Sequence, residues 1–263
     1  MSLKGPNLFD LSGRVALVPG ASGGIGSAVA QMLAECGADV VLGFGSNRTR
    51  AVEVETAAAA MGRRVRLDQI DTSSFDAVTA WVQNVIGEFG RIDIVANCVG
   101  SHGHFQPFIE QMPAQWTEFT AQHFLSGVNL AHAVLSHMVQ RRSGRIIYLS
   151  SDGAKTGQAG AAVSNGGNAA IIGFAKSLAR EISRHGVTVN AVCPGPTRTP
   201  VLEQMISGGD VGAKLAEGAA KAIPMKRVGE PHEVAAAFAF LASDAASFIT
   251  GQALSVSAGL TMY

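Results

Sequence analysis

A glycine-rich segment near the N-terminus has the residue types and the spacing of a phosphate-binding turn. Three residues separate Gly20 from Gly24, and one separates Gly24 from Gly26. Ser22 lies inside the turn, and Ile25 begins an apolar helical pattern. Glycines at these places let the backbone approach a pyrophosphate, and the N-terminus of the following helix offers N–H groups. Between a predicted strand and a predicted helix, this turn indicates a dinucleotide-binding site.

The segment after the second predicted strand indicates which dinucleotide would bind. A carboxylate at this place would bond the ribose hydroxyls of NAD(H). Residues 43–48 contain no acid and include Ser46, Asn47 and Arg48. An arginine beside hydroxyl and amide groups favours a ribose 2′-phosphate, so we expect NADP(H) in preference to NAD(H). The alternative is that Arg48 only begins a solvated helix.

Three histidines and two residues after the fifth predicted strand could also carry chemistry. His102 and His104 follow the fourth strand, His123 lies in the next long helix, and Ser151 and Lys155 follow the fifth strand. Histidine donates protons near neutral pH, and a His-x-His pair can chelate a metal. No carboxylate or cysteine completes an obvious ligand set, so we expect no metal. The alternative for the three histidines is an ordinary solvated or structural role.

An alternation of strands and helices positions these residues. Apolar runs of β type predict strands at 14–18, 39–42, 65–70, 92–96, 145–149, 187–192 and 253–256. Helical periodicity predicts helices at 24–36, 50–61, 75–89, 113–141, 161–185, 211–221 and 231–243. Strands separated by helices pair in parallel with right-handed crossovers. We therefore predict an α/β fold, a Rossmann-like doubly wound parallel sheet in a three-layer α/β/α sandwich, with residues 1–263 as one domain.

Composition and charge exclude several classes of protein. The 20 basic side chains balance the 20 acidic ones, so no net field favours nucleic acid or an anionic membrane. No apolar run has the length of a membrane span, and the first residues lack the pattern of a signal peptide. Cys36, Cys98 and Cys193 have no C-x-x-C spacing, which suits a reducing compartment. We expect a cytoplasmic protein without nucleic-acid or membrane partners.

Taken together, the motifs resemble those of the short-chain dehydrogenase/reductase family over nearly the whole chain. The glycine-rich turn is similar to the family's Thr-Gly-x-x-x-Gly-Ile-Gly, with Pro19 in place of threonine. The other matching positions are Asp71, Thr72, Asn97, Gly100, Pro194, Gly195, Thr197 and Thr199. The resemblance implies that these segments line a dinucleotide cleft from adenine to nicotinamide. Pro19 lacks an N–H and a hydroxyl that would tie this turn to the loop after the fourth strand, which implies weakened binding.

The same resemblance implies that most of the family's catalytic residues are missing. Family members use a tyrosine acid, a lysine one helical turn later, a serine and an asparagine. Ungapped matching puts Ser151 at the serine, Ser164 at the tyrosine, Asn168 at the lysine and His123 at the asparagine. An aliphatic hydroxyl is a far weaker acid than a phenol, whose pKa is ~10, and a neutral amide cannot tune it. Neither of the chain's two tyrosines is near in sequence.

These substitutions lead us to expect a catalytically degenerate family member, either a nucleotide-binding protein or a scaffold or regulatory subunit of an oxidoreductase oligomer. The alternative is an active NADP(H)-dependent carbonyl or alcohol oxidoreductase in which His123 replaces the tyrosine–lysine acid system. A third hypothesis is a metal-dependent or hydrolytic enzyme. Family interfaces imply a dimer or tetramer through the apolar stretches 129–138, 169–179 and 231–250. The partner would be a second copy of the chain or an active relative. Residues 101–113 and 200–224 are expected to cover the substrate pocket.

Overall fold

Parallel strands form one open sheet in the computed structural model, which describes residues 7–100, 106–207, 218 and 220–263. In chain order the strands are β1 Val15–Pro19, β2 Asp39–Phe44, β3 Val65–Gln69, β4 Ile94–Asn97, β5 Gly144–Leu149, β6 Val187–Pro194 and β7 Ala253–Val256. Their order in the sheet is β3-β2-β1-β4-β5-β6-β7. The chain runs outward from β1 to β3, crosses back, and runs outward again from β4 to β7. This reversal opens a crevice beside β1 and β4 and confirms the predicted doubly wound parallel sheet.

Helices cover both faces of the sheet. They are α1 Gly24–Glu35, α2 Arg48–Ala60, α3 Phe75–Phe89, α4 Pro113–Thr120, α5 Ser126–Arg141, α6 Gly153–Thr156, α7 Ala162–Ile182, α8 Pro200–Ser207 and α9 Pro231–Ala242. Buried side chains of α1, α2 and α9 form one core, and those of α3, α5 and α7 form the other. Within the described ranges, no helix has both the length and the apolar character that crossing a bilayer requires.

Successive residues of the central strands enter opposite cores. Leu17 of β1 belongs to the core that contains Trp81 of α3, whereas its neighbour Val18 belongs to the core that contains Leu33 of α1. Both faces of the sheet are therefore buried, which accounts for strands that are apolar at nearly every position. The two cores hold the carboxyl ends of β1, β4, β5 and β6 at one edge, where the predicted site residues follow.

Several differences from the predicted boundaries affect this edge. β1 extends by one residue to include Pro19, and β2 extends to Phe44, two residues beyond its predicted end. The long helix predicted over 113–141 is interrupted by a π-helical turn at Ala121–Leu125, which contains His123. Such turns concentrate at functional sites. The helix predicted over 211–221 lies largely outside the described residues.

Candidate functional site

The glycine-rich turn after β1 is packed tightly against neighbouring backbone. Gly20 has a φ of +81°, and a Cβ there would lie 2.5 Å from the carbonyl oxygen of Cys98. A Cβ on Gly26 would overlap the carbonyl oxygen of Gly20. Gly23, the residue that caps α1, supplies no capping side chain. The first N–H groups of α1 therefore remain for an outside acceptor, and the shape of the turn fits a dinucleotide pyrophosphate.

The loop after β6 crosses the same helix N-terminus. Pro194 ends β6, and the hydroxyl of Thr197 donates to the carbonyl oxygen of Gly195 at 2.9 Å. Farther along the loop, Thr199 Cγ2 lies 2.7 Å from the point that a Cβ on Gly24 would occupy. A side chain at Gly24 would thus displace this loop. The loop after β6 and the glycine-rich turn line one crevice.

Pro19 leaves the turn connected to the loop after β4. Its carbonyl oxygen accepts a hydrogen bond from the N–H of Cys98 at 3.0 Å. The N–H groups of Gly20 and Ala21 both donate to the carbonyl oxygen of Gly43, at 2.9 and 3.0 Å. Backbone bonds therefore hold the turn on both sides. Proline therefore removes a hydroxyl and one N–H from this connection, but the backbone hydrogen bonds that hold the turn remain.

Asn129 positions the segment that the resemblance assigns to adenine, although no sequence motif indicated this residue. The carboxylate of Asp71 accepts hydrogen bonds from the Ser73 hydroxyl and N–H, which lower the pKa of Asp71. Thr72 is buried, and its carbonyl oxygen accepts from Asn129 Nδ2 at 3.1 Å. Because Asn129 lies on α5, it joins the loop after β3 to a helix of the opposite half. An amide within an apolar helix was the signal that could have indicated it.

In the segment after β2, Arg50 contacts helix α1, whereas the predicted Arg48 is exposed. Ser46, Asn47 and Arg48 are exposed, and Asn47 Oδ1 caps α2 by accepting from the N–H of Arg50 at 3.1 Å. Arg50 Nη2 lies 3.4 Å from the hydroxyl of Ser27 in the first turn of α1. Sequence reasoning missed Arg50 because the predicted helix began at that residue and not at Arg48.

His123 lies between the loop after β4 and helix α7. Asn97 ends β4, is buried, and accepts at Oδ1 from the N–H of Val99 at 3.1 Å. A Cβ on Gly100 would come within 3.0 Å of His123 Cε1, and a Cβ on Gly167 would come within 3.1 Å of His123 Cβ. Two glycines thus make room for this side chain. The structure brings His123 to the same edge as the other predicted site residues.

Hydrogen bonds fix the end of β5 against α7. Ser151 Oγ accepts from the N–H of Gly153 at 3.2 Å, and the buried Ser150 donates from Oγ to the carbonyl oxygen of Asn168 at 3.0 Å. The amide of Asn168 turns back along its own helix, where Nδ2 donates to the carbonyl oxygen of Ser164 at 3.0 Å. Ser164 is half-buried and Asn168 is buried. The predicted serine, tyrosine and lysine positions are therefore neighbours, but they carry two hydroxyls and an amide.

The chain's tyrosines and Lys155 form hydrogen bonds elsewhere. Tyr148 is fully buried within β5, where its hydroxyl donates to the carbonyl oxygen of Gly127 at 3.3 Å. Burial raises the pKa of Tyr148 far above that of a solvated phenol. Lys155 Nζ donates to the carbonyl oxygens of Ala253 and Tyr263, both at 2.7 Å. These contacts direct Lys155 toward β7 and the last described residue, away from Ser164.

Two of the candidate histidines, His102 and His104, lie outside the described residues, so the hypotheses on them stay predictions. In the ranges that the structure describes, no three His, Cys, Asp or Glu side chains cluster as metal ligands.

One further polar group lies near Ser151. Asn165 Nδ2 is buried with no hydrogen-bond partner among the described residues, and its side chain lies against Gly153. This donor is placed to bond a ligand or a water at the end of β5.

Fold and crevice together define a doubly wound dinucleotide-binding class of protein. A family model described as enoyl-(acyl carrier protein) reductase matches residues 20–261. The chain belongs to the short-chain dehydrogenase/reductase family.

Relatives match the chain over nearly its full length. Nodulation protein G of Rhizobium sp. (strain N33) is 37% identical over 255 residues, which cover 97% of this chain and 100% of that protein. The 3-oxoacyl-(acyl-carrier-protein) reductase FabG of Vibrio cholerae is 36% identical over 254 residues, with coverages of 97% and 100%. A crystal structure of a variant of actinorhodin polyketide ketoreductase with NADPH has a TM-score of 0.88 and 29% identity, and covers 95% of this chain and 98% of that one.

Proposed function

We propose that this chain binds NADP(H) but lacks a competent acid of its own, and that it acts as a nucleotide-binding, scaffold or regulatory subunit of an oxidoreductase oligomer. The hydrogen bond from Asn168 Nδ2 to the carbonyl oxygen of Ser164 carries the proposal. These are the positions to which the family resemblance assigns a lysine and a tyrosine. A nicotinamide cofactor, when bound, supplies a hydride, but the substrate oxygen also needs a proton, and neither side chain can donate one efficiently at neutral pH.

The glycine-rich turn and the segment after β2 support a dinucleotide cofactor with a 2′-phosphate. The glycine-rich turn leaves N–H groups for a pyrophosphate, and the end of β2 carries arginines and no carboxylate. A structural neighbour, the actinorhodin ketoreductase variant, was solved with NADPH. These observations favour NADP(H) over NAD(H) for this chain.

Exposed apolar side chains beside β7 support an oligomer. β7 is the last strand of the sheet, and Leu254 on it is partly exposed. Phe248 is fully exposed, and Met262 and Tyr263 are 80% and 76% exposed. Large apolar side chains exposed in this part of the chain favour a contact with another protein. We propose that a second copy of the chain or an active relative covers it in the cytoplasm.

Nucleotide binding and turnover by the purified chain test this proposal. NADPH fluorescence should titrate to saturation, because the turn and the arginines do not depend on the missing acid. Reduction of a 3-oxoacyl thioester should be about 100- to 10,000-fold slower than by FabG of Vibrio cholerae assayed in parallel, since a general acid contributes a factor of that size. A rate comparable to that of the relative would overturn the proposal, and so would the absence of NADPH binding.

The position of His123 favours one second candidate, an active NADP(H)-dependent carbonyl or alcohol oxidoreductase. The imidazole lies against Gly100 at the end of the β4 loop, and its stem lies against Gly167 of α7. This is the edge at which a substrate carbonyl would meet a nicotinamide. Imidazolium donates protons near neutral pH and can replace a phenol as general acid.

If His123 is the acid, turnover should fall with rising pH as the imidazolium loses its proton, and His123→Gln should remove that dependence. The loss in turnover should reach about 100-fold or more. His232→Gln, at an exposed position on α9, serves as the matched control. A pH profile that is the same in the His123→Gln variant and in the parent would exclude this candidate.

A further inference from the structure

Arg50 of α2 lies against the first turn of the dinucleotide helix α1. Its Nη2 atom is 3.4 Å from Ser27 Oγ. The Ser27 hydroxyl donates to the carbonyl oxygen of Gly24 at 3.1 Å, so the same oxygen accepts from the guanidinium. The N–H of Ser27 donates to the carbonyl oxygen of Gly23 at 3.0 Å. Ser27 therefore links Arg50 directly to the glycine-rich turn.

The charge of Arg50 is not neutralised by a neighbouring acid. Its side chain makes one hydrogen bond, to Ser27, and within the described ranges no carboxylate forms an ion pair with it. A guanidinium carries five N–H donors, so most of them stay available to a ligand. Arg50 is half-buried, which limits screening of its charge by water. A cation held in this way at the mouth of a nucleotide crevice is placed to bind an anion.

Helix geometry separates Arg50 from Arg48. Two residues along an α-helix correspond to a rotation of about 200° about its axis, so the two side chains lie on nearly opposite sides and cannot both face α1. Arg50 contacts α1 through Ser27, whereas Arg48 is exposed. The amide oxygen of Asn47 is already bonded to the N–H of Arg50 as the cap of α2. Among these groups, Arg50 is the one for which the structure shows a side-chain hydrogen bond to α1.

We propose that Arg50, and not Arg48, binds the 2′-phosphate of the adenosine ribose and thereby selects NADP(H), an inference that rests on the proposed function. In a doubly wound fold the adenosine ribose lies between the turn after β1 and the end of β2. That is the space bounded by Ser27 and by the first turn of α2. A planar guanidinium can form two parallel hydrogen bonds to a phosphate, which a ribose hydroxyl cannot receive in the same way.

Equilibrium binding to the full-length chain tests the assignment without any assay of turnover. The probes are NADPH, NADH and adenosine 2′,5′-bisphosphate, titrated by calorimetry against the parent chain, Arg50→Ala, Arg48→Ala and Arg180→Ala. Arg180 is an exposed arginine of α7 and controls for net charge. Arg50→Ala should weaken NADPH and the bisphosphate by about 10- to 100-fold and leave NADH unchanged, because a charged hydrogen bond to phosphate is lost. Arg48→Ala and Arg180→Ala should bind all three probes as the parent does.

The remaining outcomes distinguish this inference from the proposed function. Equal weakening of NADPH and NADH by Arg50→Ala would indicate a structural role and overturn the assignment. Selective loss of NADPH in Arg48→Ala would do the same. If the parent binds NADPH and Arg50→Ala has no effect, the assignment fails alone and the proposed function stands. If the parent binds neither dinucleotide, both fail together.

Discussion

Replacing Ser164 by Tyr and Asn168 by Lys together should raise NADPH-dependent ketone reduction by about 100- to 10,000-fold over the parent chain. The reason is that the two positions are neighbours on α7, one helical turn apart, beside the end of β5 that carries Ser151. A phenol at 164 would supply the proton, and an ammonium at 168 would lower the phenol's pKa toward neutrality. The measurement is NADPH oxidation with a panel of ketones and 3-oxoacyl thioesters.

A double variant with Ser164→Phe and Asn168→Met is the matched control for this experiment. It adds side chains of similar size and shape but neither a hydroxyl nor a charge, so it should bind NADPH and gain no turnover. Single variants should gain little, because an untuned phenol and an isolated ammonium each supply only part of the acid. Equal activity of the Tyr/Lys and Phe/Met variants, with both folded and binding NADPH, would mean that a phenol and an ammonium at these positions do not limit the reaction.

Asn168 also explains how α7 packs without the tyrosine and lysine that the family resemblance implies. A buried lysine would need a partner for its charge, whereas the buried amide satisfies itself on the Ser164 carbonyl. Ser150 adds a second bond to the same part of α7. The end of β5 and α7 are therefore held together by neutral groups. This arrangement keeps the wall of the crevice intact without the chemistry that the family resemblance implies for it.

Most of the fold could be predicted from the sequence because local pattern and global architecture agree. Apolar runs such as β4 Ile94–Asn97 can be buried on both faces only in a parallel sheet, and the turn from Gly20 to Gly26 needs glycine on steric grounds. The family resemblance added the residue types expected at positions 164 and 168. Nothing in a single residue's type, however, indicates how its side chain will be directed.

The unpredicted parts of the site depend on details of one or two residues. Whether Arg48 or Arg50 faces α1 is decided by where α2 begins, and helix ends are the least certain feature of a sequence prediction. The π-helical turn that carries His123 arises from one extra residue within a helical run, which leaves no sequence pattern. The backbone bond from Cys98 to Pro19 likewise follows from the loop conformation and not from either residue's chemistry.

The helical glycines allow a second test with a large effect, because the same substitution should act in opposite directions at two positions. Gly26 of α1 and Gly87 of α3 are both inside helices, where Ala is favoured over Gly by about 1 kcal/mol. A Cβ at Gly87 meets no atom within 4 Å, so Gly87→Ala should stabilise the protein by about that amount. A Cβ at Gly26 would overlap the Gly20 carbonyl oxygen.

Gly26→Ala should therefore destabilise the protein by about 3 kcal/mol, lower its melting temperature by about 6–12 °C and weaken NADPH binding. The cost is large because the obstacle is backbone, which cannot rotate aside, and because moving Gly20 would also move its neighbour Cys98 in the loop after β4. Thermal unfolding of both variants, with NADPH titration at a temperature where each is folded, measures the difference. Equal stability of the Gly26→Ala and Gly87→Ala variants would mean that the turn is not packed as described, and the pyrophosphate site would lose its structural basis.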